Sequence, residues 1–400
     1  MKKVLILSAL SCFLTVFGQQ KQVKRATVGF MNVENLWDTV VSADYIDGTK
    51  DRTNPAFHRS VPLDSLKFLE TTEEYFGEWS DENLIGKKVI RKQILADDFT
   101  VNSPRNYNSK VYNHKLGNIS KVINEIGRQY TNDAPVICGL LEVENRKVVE
   151  DLINTPTLAK YNYGIVHYNS YDARGIDIAL IYQKNRFVVE KHYTSEVKIY
   201  NDQGKRTYTR DVTVVIGRLD GERVGVFLNH WPSRSGGEAI SQERRNTAAR
   251  VLKAEMDKVG KEYPGIKMFA MGDFNDDPIS PSLKKHLKAV GDPKDLSDEY
   301  PYYNLMYKLF KNGVASLAYR DAPNLFDQII VSRNLYSTEK ITPTYTVYKA
   351  EIYAPSYMIT PSGQYKGYPF RSWSGNTYTG GYSDHFPAFT VLQREHTPNK

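Results

Sequence analysis

The stretch GGYSDHFPAF, residues 380–389, places Asp384 and His385 side by side at the entrance to an apolar segment. Residues 386–392, FPAFTVL, read as a terminal strand, being aromatic and β-branched with no helix former but Ala and Leu. Strand side chains alternate between faces, so His385 is expected on the side of Pro387, Phe389 and Val391, with Asp384 opposite. An isolated Asp-His pair is an ordinary charged turn before an edge strand. It gains meaning only if other strands end in the same way.

Five others do. TVGFMNVEN (27–35) aligns Val28, Phe30 and Asn32, and PVICGLLEVEN (135–145) aligns Val136, Cys138, Leu140 and Glu142. RVGVFLNHW (223–231) aligns Val224, Val226, Leu228 and His230, and KMFAMGDFN (267–275) aligns Phe269, Met271, Asp273 and Asn275. FDQIIVS (326–332) aligns Asp327, Ile329 and Val331. In each, an apolar face terminates in a residue that binds metal or handles protons. The polar residue closes the strand in the first four and opens it in the last two. If the last two run antiparallel to the others, all six polar residues meet at one rim.

A rim of Glu, Asp, Asn and His suits a hard cation such as Mg²⁺, which takes oxygen ligands and keeps waters and phosphate oxygens in its shell. Histidines beside carboxylates carry protons or contact phosphate. Together these residues point to metal-assisted hydrolysis of a phosphate ester. Zinc fits poorly, because Cys138 has no thiolate partner and neither HxxxH nor HExxH occurs. A serine hydrolase fits poorly as well, since GxSxG is absent.

The ordered segments FMNVENL, LLEVEN, LNHWPSR, MGDFND, FDQIIV and YSDHFP resemble those of the endonuclease/exonuclease/phosphatase superfamily, over roughly residues 26 to 393. That resemblance implies an α/β (α+β) fold: a four-layer sandwich of two face-to-face, mostly antiparallel β-sheets flanked by helices, with the site at one edge of the sheets. It implies metal ligation by Glu142, Asn32 and Asp384, with Mg²⁺ as the cofactor and Mn²⁺ or Ca²⁺ as alternatives. It implies that Asp273 and Asn275 position the attacking water and bind phosphate. His385 resembles the catalytic histidine, Asp327 its orienting carboxylate, and His230 the second histidine of the deoxyribonuclease branch. Arg210, in YTRDVTVV, resembles a phosphate-binding arginine of that branch.

The chain departs from the family pattern in two places. Leu141 stands where a Gln usually precedes the metal-binding Glu. The carboxylate that should partner His230 has no clean match; Asp177 lies one position from the expected place, and Tyr182 closes the same strand.

The remaining features bound the reading. MKKVLILSALSCFLTVFGQQ has two lysines, an apolar run from Val4 to Phe17 and then Gly18, the pattern of a secretory signal cleaved after Gly18. Ala9 stands where a lipobox carries Leu, so Cys12 is not expected to anchor a lipid. Cleavage would leave Cys138 as the only cysteine and exclude an internal disulfide. The net charge of +7 would fall to +5 on losing Lys2 and Lys3, a moderate balance compatible with a polyanionic partner.

Residues 19–400 show no linker or repeat and are expected to form one domain, with a long surface-loop insertion at about 38–115. Helices are expected at 117–130 and, with Ser235 and Glu238 as a capping box, at 235–259. The resulting expectation is a monomeric, secreted or periplasmic phosphodiesterase without a transmembrane segment, acting on DNA or RNA. Arg234 and Trp231 in WPSRSGG, with Arg371 and Trp373 in YPFRSWSGNTY, would grip the backbone and stack on bases. The alternatives are a phosphatase or phosphodiesterase on a lipid head group or small ester and, from another class, an inactive binding protein on the same fold.

Overall fold

The computed structural model describes residues 22–39, 41–44, 58–61, 93–95, 97–170, 172, 174–201, 203–204, 206–207 and 209–396. The proposed signal at 1–18 and much of the 38–115 insertion lie outside them. No described helix is long and apolar enough to cross a membrane.

In chain order, the strands of the two large sheets are β1 (Gln22–Leu36), β2 (Ile137–Val143), β3 (Tyr163–Tyr168), β4 (Asp177–Gln183), β5 (Phe187–Ser195), β6 (Val212–Leu219) and β7 (Glu222–His230). They continue with β8 (Lys267–Asp273), β9 (Ala289–Val290), β10 (Tyr302–Asn304), β11 (Asp327–Ser332), β12 (Thr346–Ile352) and β13 (Ala388–His396). The six-stranded sheet has the order β12-β13-β1-β2-β4-β3, and the seven-stranded sheet β9-β10-β11-β8-β7-β6-β5. Pairing is antiparallel except at β1·β2, β7·β8 and β9·β10. β11 and β13 run antiparallel to β8 and β1, which meets the condition for the polar strand ends to share one rim.

Alternation sorts the core into three layers. Val28, Phe30, Leu141, Leu228, Met271 and Ile329 fill the space between the sheets. Gly139 permits that close approach, since a Cβ there would lie 2.8 Å from Leu228 Cδ2. Cys138, Leu140, Phe389 and Val391 face outward instead, against α1 (Ser109–Glu125) and α2 (Arg146–Ile153). The other sheet packs Val214, Phe227 and Ala270 under Ala248, Leu252 and Met256 of α3 (Glu238–Glu262). Helix, sheet, sheet and helix make the expected four layers.

Asn108 caps α1 by accepting hydrogen bonds from the Lys110 and Val111 amides, and Asn145 caps α2 through the Val148 amide. The first helix thus begins eight residues before the predicted start and ends at Glu125, after which Gly127 adopts a φ of 68°. The Ser235–Glu238 capping box does not form. Gly237 occupies the cap of α3 with a φ of 116° and no side-chain bond.

The end of the predicted surface loop is core rather than surface. Phe99 stacks on Trp37 at 5.5 Å and meets Tyr107 and Trp373 edge-on, all four rings being buried. This aromatic cluster ties the end of β1 to the segment approaching Asp384.

Candidate active site

The rim is assembled by four inner strand faces and two local irregularities. His230, Asp273, Asp327 and Asn32 arrive by the predicted alternation of β7, β8, β11 and β1. Glu142 does not. The face it was assigned, with Cys138 and Leu140, points at the helices. A left-handed residue, φ 67° at Glu142, and a register shift after Leu141 turn its carboxylate to the inner rim. His385 likewise precedes β13, and a turn bonded by the Ser383 hydroxyl to the His385 amide aims it, not the strand parity shared with Phe389.

At the centre, His385 Nδ1 lies 2.7 Å from Asp327 Oδ2, and the same oxygen accepts a 2.6 Å bond from the Ser316 hydroxyl. His230 Nε2 stands 3.6 Å from Asp273 Oδ2 and 3.8 Å from Glu142 Oε1. The Asn275 amide donates to Asp273 Oδ1 at 2.8 Å, and the Asn275 side chain donates to the Trp231 carbonyl at 3.0 Å. Gly272 allows β8 to press against β7 here, because a Cβ would sit 1.8 Å from the Asn229 carbonyl oxygen. Below this loop, buried Arg245 pairs with buried Asp276 at 2.7 Å.

The two histidines are pushed in opposite directions. Burial opposes the His385 cation, yet Asp327, Asp273 and Asp384 outweigh it and hold the imidazole well above its usual range. His230 is held well below that range by burial, with Arg210, Arg174 and His385 adding to the effect. Near neutral pH the arrangement therefore presents one charged and one neutral imidazole. Asp273 is pushed up to about 7 by burial, with Asp327 and Glu142 adding and His385 opposing.

A second set of charges flanks Glu142. Glu34, with a left-handed φ of 51°, accepts from the Ser372 amide and from Arg371 Nε at 3.3 Å. Arg371 Nη2 also reaches Asp384 Oδ2 at 3.5 Å. Glu34 is pushed up to about 7 by burial and by Asp384. Fully buried Lys115 donates to the Ser372 hydroxyl at 2.7 Å and is pushed down to about 8 by burial, with Glu34, Asp384 and Glu142 opposing. Asn32 Oδ1 accepts from the Glu34 amide at 3.0 Å.

On the other side, Arg174 Nη1 lies 3.9 Å from Glu142 Oε1 and Nε lies 3.5 Å from Asp172. Asp172 also binds buried Arg210 at 2.6 Å, and Arg210 Nη2 reaches the Trp231 carbonyl at 2.8 Å.

Sequence reasoning missed Glu34, Lys115, Asp172 and Arg174. Lys115 was detectable as a lone cation on the apolar stripe of Tyr112, Leu116 and Ile119 in α1. Other expectations are corrected. Asp177 pairs with His167 at 3.0 Å rather than with His230, whose Nδ1 has no hydrogen-bond partner among the described residues. Tyr182, better read as a core tyrosine than as a site residue, does lie at the far end of β4 from the rim, edge-on to Phe187. Trp231 and Trp373 are buried, the former edge-on to Phe274 at 4.6 Å, so neither offers a face for stacking. Arg234 braces the loop after Asp273, bonding the Asn275 carbonyl, Glu238, Asp276 and Asp277 over the ring of Phe326.

The donor set fits a hard divalent cation. Asn32, Glu142 and Asp384 offer oxygen donors at the rim, and the carboxyls of Glu34 and Asp273, raised chiefly by burial, lie beside them. Among the described residues no three His, Cys, Asp or Glu side chains close on one point. A cation held through Asn32, Glu142 and Asp384 would complete its shell with water and phosphate oxygens. Among the described residues the free thiol is Cys138, buried in the helix-facing layer.

The sequence pattern of the Endonuclease/Exonuclease/phosphatase family matches residues 81–394. No curated protein matches. Similar solved structures include an endonuclease/exonuclease/phosphatase family protein from Bacteroides thetaiotaomicron, 14% identical with a TM-score of 0.45, the match covering 95% of this chain and 100% of that one. A mannosyl-6-phosphatase of the same organism is 15% identical with a TM-score of 0.45, over 71% of this chain and 93% of that one. The human nocturnin catalytic domain with bound sulfate is 15% identical with a TM-score of 0.44, over 70% and 86%.

Proposed function

Because this chain belongs to the endonuclease/exonuclease/phosphatase family, we propose that it is a secreted, Mg²⁺-dependent phosphodiesterase that cleaves nucleic acid. The family hydrolyses phosphoesters and is generally dependent on divalent metal. The observation that carries the reading is the meeting of the His385–Asp327 pair, His230, Asp273 and Glu142 at one rim.

Asn32, Glu142 and Asp384 would hold the cation, which when bound draws charge from the phosphoryl oxygens and from the attacking water. Asp273, steadied by the Asn275 amide, orients that water and takes its proton as the oxygen attacks phosphorus in line. His385, kept cationic by Asp327, donates to a phosphoryl oxygen as negative charge grows there. His230, neutral and within 3.8 Å of Glu142, contacts the transferring group, and a water molecule gives the leaving oxygen its proton. Arg174 and Arg371, with side chains 52% and 54% exposed and paired to carboxylates at this centre, bring positive charge to it for phosphate to meet.

The preference for nucleic acid rests on the basic chain and these two arginines. Incubating the purified mature protein with plasmid DNA, RNA, an inositol phosphate and sphingomyelin, with and without EDTA, tests it. EDTA-sensitive cleavage of DNA or RNA is expected. Turnover confined to the inositol phosphate or sphingomyelin would reassign the substrate to a small ester or lipid head group.

A further inference from the structure

Both tryptophans expected to stack on bases are buried, yet the mouth of the site carries exposed rings elsewhere. A hairpin formed by Leu317–Tyr319 and Ala322–Asn324 grows directly from the catalytic pair. At its base, the Ser316 hydroxyl donates to Asp327, and the Phe386 amide beside His385 donates to the Ser316 carbonyl at 2.7 Å. Its tip is a two-residue turn of Arg320 and Asp321, with φ of 51° and 62°. Such turns ordinarily use Asn-Gly or Asp-Gly, so left-handed Arg320 and Asp321 hold strain at this tip. Tyr319, beside the turn, is 63% exposed, and the Arg320 guanidinium lies 5.2 Å from its ring centre.

The tip is tied across to a second segment. The Asp321 amide donates to the Tyr368 hydroxyl at 2.8 Å, and that hydroxyl donates to the Asp321 carboxylate. Tyr368 meets Tyr365, which is 53% exposed, edge-on at 5.6 Å. Three residues on, Arg371 reaches Glu34 and Asp384. One arm of this wall is thus rooted at the His385–Asp327 pair and the other beside Asp384. Four extended residues place the tip roughly 13 Å from Ser316, a reach suited to the group next to the scissile phosphate.

We propose that Tyr319, Tyr365 and Tyr368, with Arg320, form an aromatic shelf that stacks on a nucleobase flanking the cleaved phosphodiester. This rests on the nuclease reading and adds a subsite to it. Planar rings with interleaved cations are what sequence-tolerant single-strand binding uses.

The test compares a fluorescent single-stranded oligonucleotide with the same strand built from base-free abasic spacers. KM is measured with Mg²⁺, and affinity by anisotropy in EDTA. The wild type should favour the base-bearing strand by about 5- to 150-fold, the range for one stacked base. Tyr319→Ala with Tyr365→Ala should bring that ratio close to one, whereas Tyr319→Phe with Tyr365→Phe should keep it. An unchanged ratio in the alanine variant overturns the shelf. A wild type that cleaves neither strand overturns the nuclease reading, while anisotropy still judges the shelf. If the alanine variant keeps the oligonucleotide ratio but loses binding to phosphatidylglycerol vesicles, the rings serve a membrane and the proposal fails.

Discussion

Asp327→Asn is nearly isosteric and removes only the charge that His385 faces. The two groups meet at 2.7 Å with side chains 0% and 10% exposed, so neither is screened by water. Unit charges about 4 Å apart at an effective dielectric of about 20 attract by roughly 4 kcal/mol. Because burial opposes charging, a net loss of about 2–3 kcal/mol in unfolding free energy is expected for Asp327→Asn. His385→Ala should cost more, about 3–5 kcal/mol, because it strands the Asp327 carboxylate without its cation. The double variant should therefore be more stable than His385→Ala alone, as urea unfolding at pH 7 would show. In turnover, each single variant should lose roughly 10²–10⁴-fold, with KM moving far less. The double variant should fall no more than about tenfold below the slower single one, since the pair acts as a unit. Near-wild-type kcat in His385→Ala, or losses that multiply in the double variant, would refute the reasoning.

Glu142→Ala should abolish metal-stimulated hydrolysis, beyond the roughly 10–100-fold cost of losing an outer-shell contact, while circular dichroism stays native; full activity of the wild type in EDTA would contradict the metal site. On DNA, log KM should rise with log salt, and Arg371→Ala should lower that slope by about one phosphate contact. Arg234→Ala should leave the slope alone and instead lower stability, because its donors are held by the loop after Asp273; a slope change in Arg234→Ala would argue against that. Asp220 is pulled down to about 2 by Arg186, Lys24 and Tyr345, which outweigh the opposing effect of burial. Its folded pKa is depressed, so its stabilisation is complete above about pH 4 and lost as pH falls through about 2. After discounting for partial solvation it is worth about 1–2 kcal/mol. Asp220→Asn should thus cost that much at pH 6 and almost nothing near pH 2; an equal loss at both would refute the linkage.

Much of the site was legible because side-chain direction in a strand is a local property. Val28–Phe30–Asn32, Val226–Leu228–His230, Phe269–Met271–Asp273 and Asp327–Ile329–Val331 each declare one face with period two, and steric geometry keeps them there. The switch from polar ends to polar beginnings stated the condition, an antiparallel sense for the last two strands, under which these ends meet, and the pairing of β11 and β13 supplied it. What period two leaves open is which face looks inward. Cys138 and Leu140 are as apolar as Ile137 and Leu141, so β2 reads equally well either way when both faces are covered. Only packing between the sheets chose, and a left-handed Glu142 then returned the carboxylate to the rim. His385 was aimed by a turn rather than a strand, and Lys115 was drawn in by Glu34 and Asp384, 81 residues before it and 269 after it, with Glu142 nearer in sequence. Trp231 and Trp373 went to the core, where their large apolar area is best buried, and smaller rings with hydroxyls stayed in water at the mouth. Except for Lys115, which the apolar stripe of α1 marks as a lone cation, those choices depend on contacts between distant segments that no local pattern contains.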